Sequence, residues 1–244
     1  MISQNSIYSK LVVKKPWGFE YIVYDDKDKI GITFLNIKYK HKTSLHCHPK
    51  KKTGFIILDG KAEVQIGIYK KNTKCFNPMS RLVFREGLFH SLKAKSKSGL
   101  YAIEFETPYI KKDLVRLKDN YGRKKKAYEG KNFTSILEED KIKFKKPALG
   151  KKNIYRFNNM KTTIEKTSNL KSLSSLDHNS SLAILDGNLV DNNGIEVISF
   201  GEIIRTSTLK ILSKNFKIKK PLVILKVDKI KKKQKKDYKL NLCM

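Results

Sequence analysis

The sequence predicts an all-β chain whose strands close into a sandwich or barrel, and three observations lead there. First, Ala62, Val64, Ile66 and Ile68 alternate with Glu63, Gln65, Gly67 and Tyr69, the period-two pattern of a strand with one buried face. Second, short apolar runs follow one another through the first hundred residues: FEYIVY from Phe19, GITFLNIK from Gly31, GFIIL from Gly54 and LYAIEF from Leu100. Third, Gly, Asp and Asn punctuate these runs, as at Asp59-Gly60, where a turn must form.

The segment Ile110–Tyr128 differs from these runs. It is charged, has few apolar anchors, and reads as a short helix or an extended arm leaving the first domain. Residues 141–152 are basic and contain Pro and Gly, which suits a linker. Beyond it a fragment repeats. FIILDG at Phe55–Gly60 returns as LAILDG at Leu182–Gly187, Arg85-Glu86-Gly87 has a loose echo in Phe200-Gly201-Glu202, and the strand at Leu100 is echoed by LVILKV at Leu222. An ordered series of three echoes points to a shorter second barrel of the same type. The expected division is residues 1–130, a first domain with a charged C-terminal arm, and 131–244, a degenerate β domain ending in a basic tail. That second domain carries His178 as its one histidine.

Length and composition set the outer limits. The chain has 244 residues with 53 Lys+Arg against 23 Asp+Glu, a net charge of +30, which attracts anions such as phosphorylated small molecules. The lysines are spread along the chain among many asparagines and isoleucines, so a solvated surface accounts for them. No helix-turn-helix, zinc-finger or aromatic RNA-binding pattern supports a specific nucleic-acid partner. Cys47, Cys75 and Cys243 are too sparse for a disulfide framework, and with neither a signal-peptide core nor an apolar run of spanning length, the expected setting is the cytoplasm.

The chemistry concentrates on three histidines. His46 and His48 flank Cys47 in TSLHCH; on a strand their rings share one face while Cys47 turns to the other and packs. Gly60 follows His48 by twelve residues, and His90 follows Gly87 by three and opens another strand. Closure of a barrel would bring its imidazole to the same interior point. Three imidazoles leave open positions on a divalent ion, the form of a catalytic site. Zn, Fe, Mn and Ni all suit imidazole.

These stretches carry a family resemblance. KPWGFE at Lys15–Glu20, LHCHPKKKTGFIILDG at Leu45–Gly60 and DLVRLKDNYGR at Asp113–Arg123 resemble, in order, the entry sequence, the first cupin motif and the tail following the barrel in type II mannose-6-phosphate isomerases. The resemblance covers roughly half the chain, and the tail is its most specific part, because a generic cupin lacks it. It implies a cupin (jelly-roll) barrel, a bicupin with a degenerate second half, and a metal held by His46, His48 and His90. It also implies aldose–ketose isomerisation of a phosphorylated or nucleotide-linked sugar in surface-polysaccharide synthesis, with a homodimer formed through edge strands.

Two departures stand out. The family's glutamate ligand falls at Thr53, and the proline of the second motif is Arg85. The candidate substrate-binding residues are Lys52, Thr53, Arg85 and Arg123, with Arg116 and Lys118 as further phosphate partners or members of a solvated basic arm. Trp17 serves either core packing or sugar stacking. Glu104 and Glu106 lie near the barrel, and alternation alone does not say which faces in. No catalytic residue is assigned, and the alternative to an enzyme is a non-catalytic sugar-binding or regulatory cupin.

Overall fold

The alternating runs of the first half become the walls of a barrel. A computed structural model describes residues 10–26, 29–123, 131–139, 141–170 and 179–230. Strands β1 (Leu11–Lys15), β2 (Gly18–Asp26), β3 (Ile30–Ile37), β10 (Leu100–Thr107), β5 (Lys52–Asp59) and β8 (Arg81–Phe84) form one antiparallel sheet, extended beyond β1 by β12 (Thr134–Ile136). A second sheet faces it, in the order β11 (Val115–Lys118), β4 (Leu45–Cys47), β9 (His90–Ala94), β6 (Ala62–Ile66) and β7 (Thr73–Phe76). Between them lie Leu35, Phe55, Ile57, Phe84, Leu100 and Ala102 from the first sheet and Val64, Leu92 and Ala94 from the second, with Trp17. The all-β expectation holds, and no helix among the described residues is long and apolar enough to cross a membrane.

The charged segment after β10 does not leave the barrel. Val115–Lys118 pairs with β4 as an edge strand, and the chain then turns back so that Arg123 is buried. Its few apolar residues hid this, because polar contacts hold it. Asp113 accepts the Lys50 N–H through Oδ2 at 2.8 Å, and Asp119 accepts the Arg123 N–H and guanidinium.

The second half forms one sheet among the described residues. Its strands are β13 (Lys152–Phe157), β14 (Met160–Thr167), β18 (Lys217–Lys229), β15 (Ser181–Val190) and β16 (Glu196–Ile198), with β17 (Ile203–Arg205) also on β15. The sequence echo has a structural counterpart. Phe55, Ile56 and Ile57 of β5 oppose Glu104, Ile103 and Ala102 of β10, and Leu182, Ala183 and Ile184 of β15 oppose Lys226, Leu225 and Ile224 of β18. Both strands then reach an Asp-Gly pair whose glycine has positive φ, +78° at Gly60 and +81° at Gly187. A Cβ there would lie 2.1 Å and 2.3 Å from the carbonyl oxygens of Gly99 and Pro221. Glycine is therefore required at both turns.

The histidine-bearing sheet has no counterpart in the second half among the described residues. Helix α1 (Thr206–Asn215) stands in its place, packing Leu209 onto Leu182, Ile184, Leu222 and Ile224. The opposite face, with Ala183, Leu185, Val223, Leu225 and Val227, packs on Phe34, Ile56, Leu58, Ile103 and Phe105 of the barrel. The three sheets thus lie in three layers, and the barrel's first sheet is covered on both faces. His178 and the lysine tail at 231–244 lie outside the described residues.

This packing predicts one cooperative unit. Ile103 is 1% exposed at the junction of the two halves. Ile103→Ala should lower unfolding free energy by about 2–5 kcal/mol in urea titration while retaining a single transition. Two separate transitions in the wild type would contradict it.

Candidate metal centre and adjoining cavity

His46 and His90 face each other as a cross-strand pair, and His48 follows one residue past the end of β4. Ring centroids are separated by 4.7 Å for His46–His90, 5.0 Å for His46–His48 and 5.6 Å for His48–His90. One nitrogen of each ring lies within 4.8 Å of the others. The expected constellation is therefore assembled.

The tautomers follow from the backbone. Nδ1 of His46 lies 2.8 Å from the Ser44 carbonyl, and Nδ1 of His90 lies 3.0 Å from the Leu88 carbonyl. Nδ1 of His48 lies within hydrogen-bond reach of the Asp113 carbonyl. A carbonyl only accepts, so each Nδ1 carries the proton and each Nε2 keeps a lone pair. Nε2 of His48 and of His90 is buried with no hydrogen-bond partner. An orphaned buried nitrogen is costly unless something binds it. Three imidazoles anchored through Nδ1 and open at Nε2 form a donor set that fits a divalent ion, as ligating histidines are held in metal sites. The His90 ring is fixed further by a parallel stack on Phe84, with centroids 4.2 Å apart.

Charge favours the same state. Burial, then the neighbouring His90 and His48, hold His46 well below the ordinary histidine range. Burial, then Lys51, lowers His48, and burial takes His90 down to about 3. Neutral imidazole is the form that ligates metal.

A cavity of about 100 Å³ opens beside His46 and His48. Lys15, Glu20, Lys51, Glu104, Glu106, Lys111, Arg116 and Arg123 give it charge; Trp17, Leu35, Phe55 and Leu92 give it apolar wall. Trp17 thus belongs to both the core and the cavity lining.

Strand parity decides which expected residues reach it. Phe55 of β5 faces in, so Thr53, two residues away, shares that face, and the Thr53 hydroxyl is buried without a partner, yet Thr53 does not itself line the cavity. Lys52 turns the other way and pairs with Glu202 of the second half at 2.6 Å. Arg85 is exposed in the β8–β9 turn, where the neighbouring Gly87 N–H donates to the His48 carbonyl at 2.9 Å. Its side chain does not line the cavity. Arg123 does, gripped by Asp119. Arg116 lines the cavity as well, while Lys118 is exposed on the edge strand. Cys47 is a buried free thiol, which burial pushes up and makes less reactive.

The sequence reading missed Lys15, Glu20, Lys51 and Lys111, and left Glu104 and Glu106 open. Both glutamates face in, because Ala102 of the same strand faces the barrel interior while Ile103 and Phe105 pack outward. Lys51, 1% exposed, donates to Glu106 Oε1 and to the Ile110 carbonyl at 2.9 Å, and Lys111 lies 3.8 Å from Glu106 Oε2. Burial pushes Glu106 upward, but Lys111 and Lys51 outweigh it and keep the carboxyl below its usual range. Burial, then Glu106, pushes Glu104 up to about 8. The parity of Lys51, Thr53 and Phe55, and of Ala102, Glu104 and Glu106, is the signal that could have found this cluster.

Residues 3–119, slightly under half the chain, match the model of the family described as mannose-6-phosphate isomerase C-terminal. No curated protein matches. Among solved structures, KdgF from Halomonas sp. is 16% identical, with 39% of this chain and 84% of that one covered, at a TM-score of 0.36. A conserved protein with a double-stranded β-helix domain from Klebsiella pneumoniae is 11% identical, with 41% and 84% covered, at 0.37. The capsular polysaccharide assembling protein CapF from Staphylococcus aureus is 13% identical, with 46% and 32% covered, at 0.40.

Two outcomes test the site. Protein purified without chelator should carry about one divalent ion per chain by elemental analysis, and His48→Ala should carry little; equal content in both would remove the site. Glu104 has a raised folded pKa, so between about 4.5 and 8 the folded state holds more protons than the unfolded one, and stability falls as pH rises toward 8. Between pH 6.5 and 8, metal-free wild type should lose stability in chemical denaturation relative to Glu104→Gln; a constant difference between the two would contradict the placement. With its three-histidine site and matching family stretch, the first half of the chain resembles the cupin-type C-terminal domain of mannose-6-phosphate isomerases.

Proposed function

We propose that this protein is a metal-dependent cupin enzyme acting on a phosphorylated or nucleotide-linked sugar, with aldose–ketose isomerisation as its reaction, in the supply of surface polysaccharide. The observation that carries the reading is the convergence of three proton-anchored imidazoles beside a charged cavity, within the stretch that matches the isomerase family. His46, His48 and His90 would hold the ion, which when bound supplies Lewis-acid polarisation of a carbonyl oxygen. Trp17, Leu35 and Phe55 exclude water from one side of the cavity, which strengthens its electrostatics. Lys15, Lys111 and Arg116 supply positive charge suited to a phosphate group. Arg123, held by Asp119, also lines the cavity.

A second reading, sugar binding without turnover, is favoured by Thr53 standing where the family places a carboxylate ligand. One assay separates the two. Wild type supplied with Zn, Mn, Ni or Fe should interconvert mannose 6-phosphate and fructose 6-phosphate, and chelator or His46→Ala should abolish turnover. Sugar binding without turnover, unaffected by His46→Ala, would establish the second reading. Neither turnover nor binding of any hexose phosphate would overturn both.

A further inference from the structure

The two inward glutamates of β10 are two residues apart, share one cavity, and have opposite surroundings. Glu106 is closed in by the ammonium groups of Lys51 and Lys111 and is committed to them. Glu104 has no hydrogen bond and no ion pair among the described residues, and its carboxyl faces the cavity that His46 and His48 also line. Its cross-strand neighbour on one side is Thr33, whose hydroxyl is buried and unpartnered, and on the other Phe55. A half-buried carboxyl held by no protein donor, beside a buried and unpartnered hydroxyl, leaves hydrogen-bonding capacity open toward the cavity. A hydroxyl-rich ligand entering between them would use that capacity.

We infer that Glu104 is the catalytic residue that moves the proton between C2 and C1 of the sugar. This rests on the isomerase reading above and deepens it. In the open-chain 2-hydroxyaldehyde, the Glu104 carboxylate removes the hydrogen on C2. The C2–H electron pair becomes the C1=C2 bond, and the π pair of the C1 carbonyl moves onto O1, leaving an enediolate of the sugar. The proton on O2 passes to O1, the electron pair left on O2 re-forms a carbonyl at C2, and C1 takes the proton back from Glu104. The ketose leaves, and Glu104 is again a carboxylate. No oxidant or other reactant is consumed.

The charged groups around Glu104 suit this work. Glu20 from β2 and Glu106 on its own strand repel a second negative charge, while Lys51 and Lys111 attract it. Burial and Glu106 prevail and bring the carboxyl to about 8, near working pH, where a general base is most effective. A pair of carboxylates driven apart in this way is the pattern that divides acid–base labour in an active site.

The experiment follows the moving hydrogen. Full-length wild type, Glu104→Gln and Glu104→Asp, each loaded with zinc, are incubated with mannose 6-phosphate or fructose 6-phosphate in D₂O, and proton NMR reads deuterium entering C1 and C2. Zinc content reports whether each variant keeps its site. Wild type should exchange, at a rate rising with pH up to about 8. Glu104→Gln should keep its zinc and lose exchange by about 10²- to 10⁴-fold. Glu104→Asp, which keeps a shorter carboxyl, should retain part of the rate and covers the case where Glu104→Gln does not fold. Glu104→Gln exchanging at the wild-type rate, or Glu104→Asp losing no rate, would overturn the role of Glu104 and leave the isomerase reading standing. A wild type that exchanges neither sugar overturns both together. Infrared titration of the metal-free wild type gives an independent reading. A protonated carboxyl band present at pH 6.5, lost by pH 9.5 and altered in the variants is expected, and a Glu104 already ionised at pH 6.5 would overturn the proposal.

Discussion

Strands β3, β5 and β10 are the middle of a three-layer stack, packed on both faces. Most residues on them must satisfy one of two buried environments, and the pleat assigns them in alternation. On β5, Lys51, just before the strand, then Thr53, Phe55 and Ile57 face the barrel, while Ile56 and Leu58 face the second half. On β10 the inward series is Leu100, Ala102, Glu104 and Glu106, and the outward series Ile103 and Phe105. A slip of one residue would place Glu104 and Lys51 against the apolar sheet of the second half and send aromatic rings into the cavity. The second half therefore does more than cover a surface. By requiring a largely apolar outer face, it locks the register that brings Lys51, Glu104 and Glu106 to the cavity.

The histidine cluster depends on the other sheet and on backbone hydrogen bonding. Pairing of β4 with β9 sets His46 opposite His90, and three carbonyls take the Nδ1 protons. One of those carbonyls belongs to Asp113, whose side chain also caps the Lys50 N–H. The segment that begins at Asp113 is thus a wall of the site. It orients His48, supplies Arg116 to the cavity, and ends at Arg123 clamped by Asp119. For Asp119 burial works upward, and the Arg123 bonds outweigh it, holding the carboxyl below its ordinary range as a counter-ion.

Much of this was legible in the sequence, for physical reasons. Period-two alternation and Asp-Gly turns announce strands, and His-x-His on a strand places two rings on one face. The LAILDG echo marks a strand that occupies the same position in its own sheet as FIILDG. Other features were hidden. A strand buried on both faces shows no alternation of polarity, so the inward set on β5 and β10 could not be told from the outward one. The sequence points to Lys52 where Lys51 lines the cavity, because adjacent lysines look alike until a neighbouring sheet fixes the pleat. Ile110–Tyr128 reads as an arm because its described part, up to Arg123, is attached through polar and charged pairs, which hydropathy cannot see. A helix replacing the histidine-bearing sheet in the second half explains why the echo lacks histidines.

The central claim is that His46, His48 and His90 act together as one donor set through Nε2. X-ray absorption at the metal edge, on protein purified without chelator and then loaded with zinc, tests it most directly. The account predicts imidazole scattering from three histidines at about 2.0–2.1 Å, reduced to two in His90→Ala. One imidazole or fewer, or a spectrum unchanged by His90→Ala, would contradict it.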